Sequence, residues 1–221
     1  MENGLFRKKS MERISSPEEL HDYMRVTSPR LWMILGAIVA LLMGFIVYAS
    51  TATMENTMPI TVDSFFLGLT KTAGSYGQLW VIVAVLLLVF KKTRRAGASV
   101  LLAYLMVFLL GQIVLKNLVS RPRPCQIDQA FAMLVARPSS SSFPSTHSAW
   151  AFGAATAIFL RHRWAGIAAF VVAALIAFSR MYMFLHFPTD VLFGTALGIA
   201  LGVLANLITG RTWERFEKPK A

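Results

Sequence analysis

The sequence is poor in cysteine, in acidic residues and in charge of either sign. A single thiol, Cys125, cannot form an intrachain disulfide, so a disulfide scaffold is excluded. Charged residues make up only 15% of the 221 residues, whereas hydrophobic residues make up 56%. Such a chain is too apolar for an ordinary soluble domain and too short for several domains. We therefore expect one integral membrane domain.

Clusters of metal-ligating side chains and internal repeats are also missing. No group of Asp, Glu and His has metal-ligand spacing, so no metal or other cofactor is expected. The net charge of +11 raises the question of a nucleic acid partner. The basic residues, however, flank apolar runs and do not form one stripe. Membrane topology explains them better than nucleic acid binding, and membrane lipids are the expected surroundings.

Six apolar runs predict an all-α bundle of six transmembrane helices. Several runs are shorter than the ~20 residues that cross a bilayer, so their helices should extend into flanking polar residues. The fourth run depends most on this, and its missing turns are expected in the histidine motif before it and at Arg161 after it. The chain then divides into a leader at 1–30, a membrane domain at 31–210 and a tail at 211–221. The six runs are Leu31–Tyr48, Leu79–Phe90, Ala98–Leu115, Ala149–Leu160, Trp164–Phe178 and Val191–Ile208.

The distribution of Lys and Arg predicts the orientation of the bundle. Cytoplasmic loops carry the excess of these residues, and alternate segments of this chain hold sixteen of its 22. These segments are the leader, residues 91–95, Arg161 with Arg163, and the tail. Both termini are therefore expected in the cytoplasm, and the remaining cations on the opposite side of the membrane.

Two further helices are expected at the membrane surface. The string Ser-Pro-Glu-Glu at residues 16–19 has the order of a helix start, with a capping serine followed by proline. The leader is therefore expected to be an amphipathic cytoplasmic segment. Residues 62–70 place Phe65, Phe66 and Leu69 at helical spacing, which predicts a helix lying along the outer interface.

The first of three short strings that carry chemistry pairs Lys116 with Arg123-Pro124 after six residues. On a continuous helix, side chains seven positions apart share a face, so both cations are expected to reach one anion. Pro122 and Pro124 should end the regular helix. The alternative for this string alone is that Lys116 snorkels and the arginines mark the interface.

The second string, Pro144-Ser145-Thr146-His147, opens the fourth span. Unpaired amides and the helix dipole favour an anion at a helix start, and the two hydroxyl groups add donors. His147 is expected at the polar edge, where it can exchange a proton with water as a general acid must. Taken alone, a single interfacial histidine is also compatible with a structural role.

In the third string, Ser179-Arg180 ends the fifth span, and His186 and Asp190 follow. Asp190 is placed to fix the tautomer of His186 and to stabilise the positive charge that forms when this ring attacks. A structural His-Asp link is the alternative for this string alone. All three strings are expected at the outer ends of the third to sixth spans. There, three cations, a nucleophile and an acid form a complete phosphoryl-transfer set.

Together the strings resemble the three signatures of the type 2 phosphatidic acid phosphatase family, over about residues 63–208. The departure is Thr146, where glycine is usual; ordinary helical or extended backbone and a narrower pocket are expected there. The resemblance implies a metal-independent lipid phosphatase in which His186 forms a phosphohistidine, His147 donates a proton and Asp190 orients His186. It also implies that the phosphoryl oxygens are held by Lys116, Arg123, Ser145, the amide of Thr146 and Arg180.

The lipid substrate stays open at this stage. Undecaprenyl diphosphate is preferred, because Arg121 and Arg137 share a loop with the motif cations and offer charge for a second phosphate. Phosphatidylglycerophosphate and phosphatidate are the alternatives within this chemistry. Vanadate haloperoxidases have similar motifs but are soluble. A non-catalytic protein that binds or translocates polyisoprenyl phosphates would show binding without turnover. The expected location is the plasma membrane, with the site facing outward; the oligomeric state is open.

Overall fold

The computed structural model describes residues 62–74, 77–130 and 132–217, with side chains as far as residue 213. These ranges are mostly helical and contain no strand. The leader, the predicted first span and the last four residues of the tail lie outside the described residues. The other five predicted spans all coincide with helices.

The helices follow the apolar runs and end at polar or proline-containing turns. An eight-residue π-helical segment, Phe108–Leu115, joins the helix that ends at Val107 directly to the helix that begins at Lys116. In chain order the α-helices are α1 (Val62–Ala73), α2 (Gln78–Val89), α3 (Arg94–Val107), α4 (Lys116–Val119), α5 (Pro124–Ile127), α6 (Thr146–Phe159), α7 (Arg163–Tyr182) and α8 (Pro188–Glu217).

Three helical stretches are long and apolar enough to cross a membrane. They are Arg94–Ile127, Arg163–Tyr182 and Pro188–Trp213. A fourth candidate arises if α1 and α2, which are bent by 58° at the break between them, are counted as one span. The helix predicted at 62–70 forms as α1 and packs against α7, and its place along the outer interface stays a prediction. Within the described residues, three or four helical units meet the criteria of length and apolarity, fewer than the predicted spans.

The helix at the fourth predicted span lies in the core of the bundle. With 14 residues, α6 is about 21 Å long and shorter than the ~30 Å hydrocarbon core of a bilayer. It begins in the histidine motif, as expected, but ends before Arg161, whose Nε donates to Oδ1 of Asn206 at 2.6 Å. Eleven residues of α6 are buried, and α3, α7 and α8 surround it. A helix enclosed by protein does not have to match the thickness of the lipid.

Glycines allow α8 to approach α6 closely. A Cβ atom on Gly194 would lie 2.3 Å from the carbonyl oxygen of Ser145, and one on Gly198 would lie 2.3 Å from that of Ala149. Both distances are far below van der Waals contact, so only glycine fits this helix pair without a backbone shift. The close approach brings the start of α8, with Asp190, against the start of α6.

Candidate active site

The helix that carries Lys116 does not continue to Arg123. It ends at Val119, and Ser120 adopts a left-handed backbone with φ of 46°. The predicted end of the helix near the prolines is confirmed, but the shared helix face is wrong because the helix is interrupted between Ser120 and Arg123. The two cations meet for another reason: Nζ of Lys116 and Nη2 of Arg123 donate to the same carbonyl oxygen, that of Ser141, at 3.0 and 3.3 Å.

The serine run at 139–142 supplies acceptors to the motif cations. Arg123 donates from Nε to the carbonyl of Ser140 at 2.9 Å and from Nη2 to its hydroxyl at 3.1 Å. Together with the carbonyl of Ser141, these bonds fix the guanidinium of Arg123 in one orientation. This role is not apparent from the sequence, because the run contributes mainly backbone carbonyls, which every residue type offers.

A tight turn after α7 returns His186 to the end of that helix. Phe184 adopts a left-handed backbone with φ of 55°. The amides of Leu185 and His186 then both donate to the carbonyl of Arg180, at 3.1 and 3.2 Å. Such bonds are typical of helix ends that close with a left-handed residue. They place the imidazole of His186 beside Arg180 and Arg123.

The contacts of the His186 ring determine its tautomer. Nη1 of Arg123 lies 3.1 Å from Nε2 of His186. Because arginine only donates hydrogen bonds, Nε2 accepts and carries no hydrogen, so the hydrogen of the neutral ring is on Nδ1. Nδ1 faces Oδ2 of Asp190 at 3.7 Å. Nε2 is therefore the nitrogen with the unprotonated lone pair, which can reach an electrophile once the hydrogen bond from Arg123 is given up.

The surroundings of His186 keep its ring neutral. The residue is only 3% exposed. Burial lowers the pKa of His186 to about 3; the nearby cations Arg123, Arg180 and Lys116 also lower it, and Asp190 opposes the shift. At pH 7 the imidazole is unprotonated, which is the state that a nucleophile requires.

Asp190 is fully buried and its carboxylate has several partners. Oδ1 accepts from Nη1 of Arg121 at 2.8 Å. Oδ2 accepts from the amide of Phe187 at 2.9 Å and from the hydroxyl of Ser142. The carboxylate is thus oriented towards His186, as expected, by groups that the three strings do not include.

The two loop arginines, Arg121 and Arg137, each bond to groups of the protein itself. Arg121 pairs with Asp190. Arg137 donates to the carbonyls of Asp128 and Gln129, at 3.4 and 2.7 Å. These contacts give no support to the expectation that the two side chains hold a second phosphate.

The start of α6 retains free donors close to these groups. The Ser145 amide donates to the carbonyl of Asp190 at 3.1 Å, and the Ser145 hydroxyl pairs with that of Ser148 at 2.9 Å. In an α-helix the next amides, those of residues 146–148, have no intrahelical acceptor. The amide of Thr146 therefore fits the predicted role towards an anion, whereas the hydroxyl of Ser145 is turned to its own helix.

The side chain of Thr146 contacts the π-helical segment. Its hydroxyl donates to Oε1 of Gln112 at 3.2 Å. Gly111 leaves room for the methyl group, since a Cβ there would lie 3.3 Å from Cγ2 of Thr146. The backbone is helical, as expected for a β-branched residue. The methyl group thus packs against the π-helical segment, and the predicted narrowing of the pocket stays a prediction.

His147 lies at the edge of the protein interior and is partly exposed. Its Nε2 is 2.7 Å from the carbonyl oxygen of Gly74, in the break between α1 and α2. A carbonyl can only accept, so Nε2 carries a hydrogen and Nδ1 is the nitrogen that gains or loses a proton. The sequence motif did not indicate this partner, which lies more than seventy positions away.

Positive charge exceeds negative charge in this part of the protein. Lys116, Arg123 and Arg180 are all at least nine-tenths buried. The nearby carboxylate of Asp190 already pairs with Arg121. Nε of Arg180 has no hydrogen-bond partner among the described residues. Buried charges are costly without partners, and a phosphoryl group supplies both the charge and the acceptor oxygens.

An apolar cavity of about 330 Å³ borders His186 on the side of α5 and the end of α7. In an in-line displacement, the leaving group lies on the side of the phosphorus opposite the attacking nitrogen. His186 is one of the residues that line the cavity, so apolar groups lie on this side of the ring and strengthen the local electrostatic interactions. Its lining includes Ile127, Met181, Phe184 and Phe187.

Comparison with known proteins gives consistent matches. The profile of the PAP2 superfamily matches residues 96–214. An undecaprenyl-diphosphatase of Sulfolobus acidocaldarius is 30% identical over 146 residues, which cover 66% of this chain and 69% of the relative. A decaprenylphosphoryl-5-phosphoribose phosphatase of Mycobacterium tuberculosis is 34% identical over 137 residues, covering 59% and 72%. The crystal structure of a transmembrane PAP2-type phosphatidylglycerolphosphate phosphatase of Bacillus subtilis superposes with a TM-score of 0.54 at 27% identity, covering 89% and 98%.

Proposed function

The chain belongs to the PAP2 superfamily of lipid phosphatases, and from this premise we propose that it hydrolyses undecaprenyl diphosphate to undecaprenyl phosphate. The observation that carries the reaction type is the presence of three buried cations near His186, one of which, Arg123, contacts the unprotonated Nε2. The lipid class is supported by two relatives whose names specify polyprenyl-linked phosphates.

In the first step, Nε2 of His186 attacks the terminal phosphorus. A P–N bond forms, the bond from phosphorus to the leaving oxygen breaks, and that oxygen takes the electron pair together with a proton from Nδ1 of His147. Lys116, Arg123, Arg180 and the Thr146 amide hold the phosphoryl oxygens, where charge is spread in the transition state. Ser145 contributes by position, because its amide bonds the Asp190 carbonyl and so holds the start of α6 beside the phosphoryl group. The resulting imidazolium has its Nδ1 hydrogen towards Asp190, which stabilises the positive charge.

In the second step, water attacks the phosphohistidine. His147, now neutral, takes a proton from the water at Nδ1, the P–N bond breaks, and the electron pair returns to Nε2 of His186. Inorganic phosphate leaves and both histidines regain their starting states. No metal ion takes part in either step.

Phosphatidylglycerophosphate is the second candidate substrate. It is favoured by the superposition on the Bacillus subtilis phosphatase, which extends over 98% of that chain. The contacts of Arg121 and Arg137 also remove the argument for a second phosphate that their sequence positions offered. The two candidates differ in the leaving group, which is a lipid phosphate in one case and a lipid alcohol in the other.

For location, we propose the plasma membrane, with the site on the outer side and both termini in the cytoplasm. The support is the distribution of Lys and Arg, because sixteen of these 22 residues fall in the segments assigned to the cytoplasm. The proposed division into leader, membrane domain and tail, at 1–30, 31–210 and 211–221, follows the same segments.

The function is tested by phosphate release in detergent with EDTA present, from a panel of lipids. The panel contains undecaprenyl diphosphate, undecaprenyl phosphate, phosphatidylglycerophosphate and phosphatidate. We expect turnover by the wild type that is highest on the first lipid, and losses of at least about 1000-fold in His186→Ala and His147→Ala. His162→Ala is the matched control, because this histidine precedes α7 at the opposite end of the bundle.

Two outcomes would contradict the proposal. Equal turnover by wild type and His186→Ala would exclude His186 as the nucleophile. A strict magnesium requirement would indicate a different phosphatase chemistry. Preference for phosphatidylglycerophosphate over the diphosphate would retain the mechanism and replace the substrate.

Sidedness needs introduced cysteines, because Cys125 is fully buried. We would place Ser139→Cys or Lys92→Cys in a Cys125→Ser background, since both positions are exposed and lie on opposite sides of the predicted topology. An impermeant thiol reagent should label the first variant in intact cells and the second only after permeabilisation. The reverse pattern would invert the proposed orientation.

A further inference from the structure

Arg121 lies outside the three motifs but contacts Asp190 directly. Its Nη1 is 2.8 Å from Oδ1 of Asp190 and 2.8 Å from Oγ1 of Thr189. The guanidinium carbon lies 4.1 Å from the centre of the Phe187 ring. The Arg121 side chain is 35% exposed, whereas that of Asp190 is fully buried. Arg121 is therefore the partner that covers this carboxylate on its solvent side.

The bonds to Asp190 show that His186 does not hold the carboxylate. The distance from Nδ1 of His186 to Oδ2 is 3.7 Å, longer than a hydrogen bond. Oδ2 instead accepts from the Phe187 amide at 2.9 Å and from the Ser142 hydroxyl, while Oδ1 accepts from Arg121. The carboxylate is thus positioned by these three groups, and His186 faces an acceptor that is already fixed.

The ion pair between Arg121 and Asp190 also bears on the charge of the motif cations. A buried carboxylate without a partner is costly and would be drawn to the nearest cations. With Arg121 paired to Asp190, the cations Arg123, Arg180 and Lys116 need not neutralise it. Their positive charge remains available for the phosphoryl group.

We propose that Arg121 is a positioning residue: it holds Asp190 ionised and oriented so that Asp190 stabilises the imidazolium of His186, and it does not bind the phosphate. This inference rests on the proposed function, since it concerns the step in which His186 becomes charged. It predicts an effect on the rate of the reaction and not on the affinity for the lipid.

The backbone around Arg121 allows its side chain to be tested separately. The Arg121 amide donates to Oγ of Ser141 at 3.0 Å, and its carbonyl accepts from the Ser142 amide at 2.8 Å. A substitution of the side chain leaves both bonds possible. Arg121→Met removes the guanidinium and its charge while keeping an unbranched apolar stem.

The experiment compares Arg121→Met and Arg121→Lys with wild type on one diphosphate lipid and one monophosphate lipid. We expect kcat of Arg121→Met to fall roughly 10- to 100-fold on both lipids with KM within about twofold, as for the loss of a group that orients a catalytic residue. Arg121→Lys should recover part of the loss. The matched control is Arg163→Met, which removes an arginine that lies over the ring of Phe159 at the opposite end of the bundle; its kcat should equal that of the wild type.

Several outcomes would overturn the inference. A rise in KM for the diphosphate lipid alone would show that Arg121 binds the second phosphate. An unchanged kcat in Arg121→Met, with an active wild type, would exclude the positioning role while the proposed function stands. A wild type that turns over no lipid phosphate would overturn the proposed function itself, and the inference with it.

A milder variant covers the case in which Arg121→Met does not fold. Thr189→Val removes the hydroxyl that accepts from Nη1 of Arg121 and leaves the ion pair to Asp190 in place. We expect kcat to fall about two- to fivefold with KM unchanged, as for one lost hydrogen bond of about 0.5–1 kcal/mol. A wild-type kcat in a folded Thr189→Val protein would contradict the proposal that the position of Arg121 matters for the rate.

Discussion

Replacing Gly194 by alanine should lower both the stability and the kcat of this protein, and by more in kcat than the same change at Gly202. The added Cβ would lie 2.3 Å from the carbonyl oxygen of Ser145, about 1 Å closer than an ordinary carbon–oxygen contact. Both atoms belong to rigid helix termini, so the start of α6 and the start of α8 must move apart by about that distance. This shift displaces the Thr146 amide relative to His186 and Asp190.

The expected magnitudes follow from this overlap. Overpacking of a helix contact costs about 1–3 kcal/mol of unfolding free energy. A displacement of about 1 Å between groups that hold a reacting phosphoryl costs roughly 100-fold in rate. We therefore expect Gly194→Ala to lower Tm by several degrees and kcat by about two orders of magnitude.

The matched control is Gly202→Ala in the same helix pair. A Cβ there would lie 2.6 Å from the carbonyl oxygen of Gly153, a similar overlap. It is eight residues, about 12 Å, further along α8 and away from the site. Thermal unfolding followed by tryptophan fluorescence would measure stability, and phosphate release per folded protein would measure kcat. Equal losses of kcat in the two variants, or a wild-type kcat in Gly194→Ala, would refute the reasoning.

Two further predictions concern His186 and Thr146. Burial lowers the pKa of His186 from 6.5 to about 3, so the unfolded chain binds more protons between these values. Stability should fall as the pH drops below about 6.5, by up to about 1.4 kcal/mol per pH unit. The same pH dependence of Tm in His186→Asn would contradict this assignment. Thr146→Gly should keep kcat within about threefold, because the amide remains. It should lower the free energy of unfolding by about 1–2 kcal/mol, because the bond to Gln112 is lost. A tenfold loss of kcat would instead show that the side chain contacts the substrate.

The sequence predicts the helices and the grouping of the motifs, for reasons that are local. Long apolar runs with few charges fold as helices in a membrane. Proline at the start of α8 and the glycine-bounded break after α1 mark where those helices begin and end. The placement of His186 four residues before Asp190 is likewise a local property that spacing reveals.

The groups that hold the motif residues could not be predicted, because they are distant in sequence or belong to the backbone. Lys116 and Arg123 converge through the carbonyl of Ser141, not through a common helix face. His147 is oriented by the carbonyl of Gly74. The sequence position of Arg121 indicated a contact with a second phosphate, whereas its pairing with Asp190, 69 positions away, is seen only in the folded protein.

The central claim is that His186 forms a covalent phosphohistidine. Its most direct test is to mix the protein with lipid labelled in the terminal phosphate, quench within milliseconds and measure label bound to protein. We predict a bond stable to alkali and labile to acid in wild type and His162→Ala, and none in His186→Ala. Label that persists in His186→Ala, or turnover by wild type with no trapped phosphoprotein at any quench time, would contradict it.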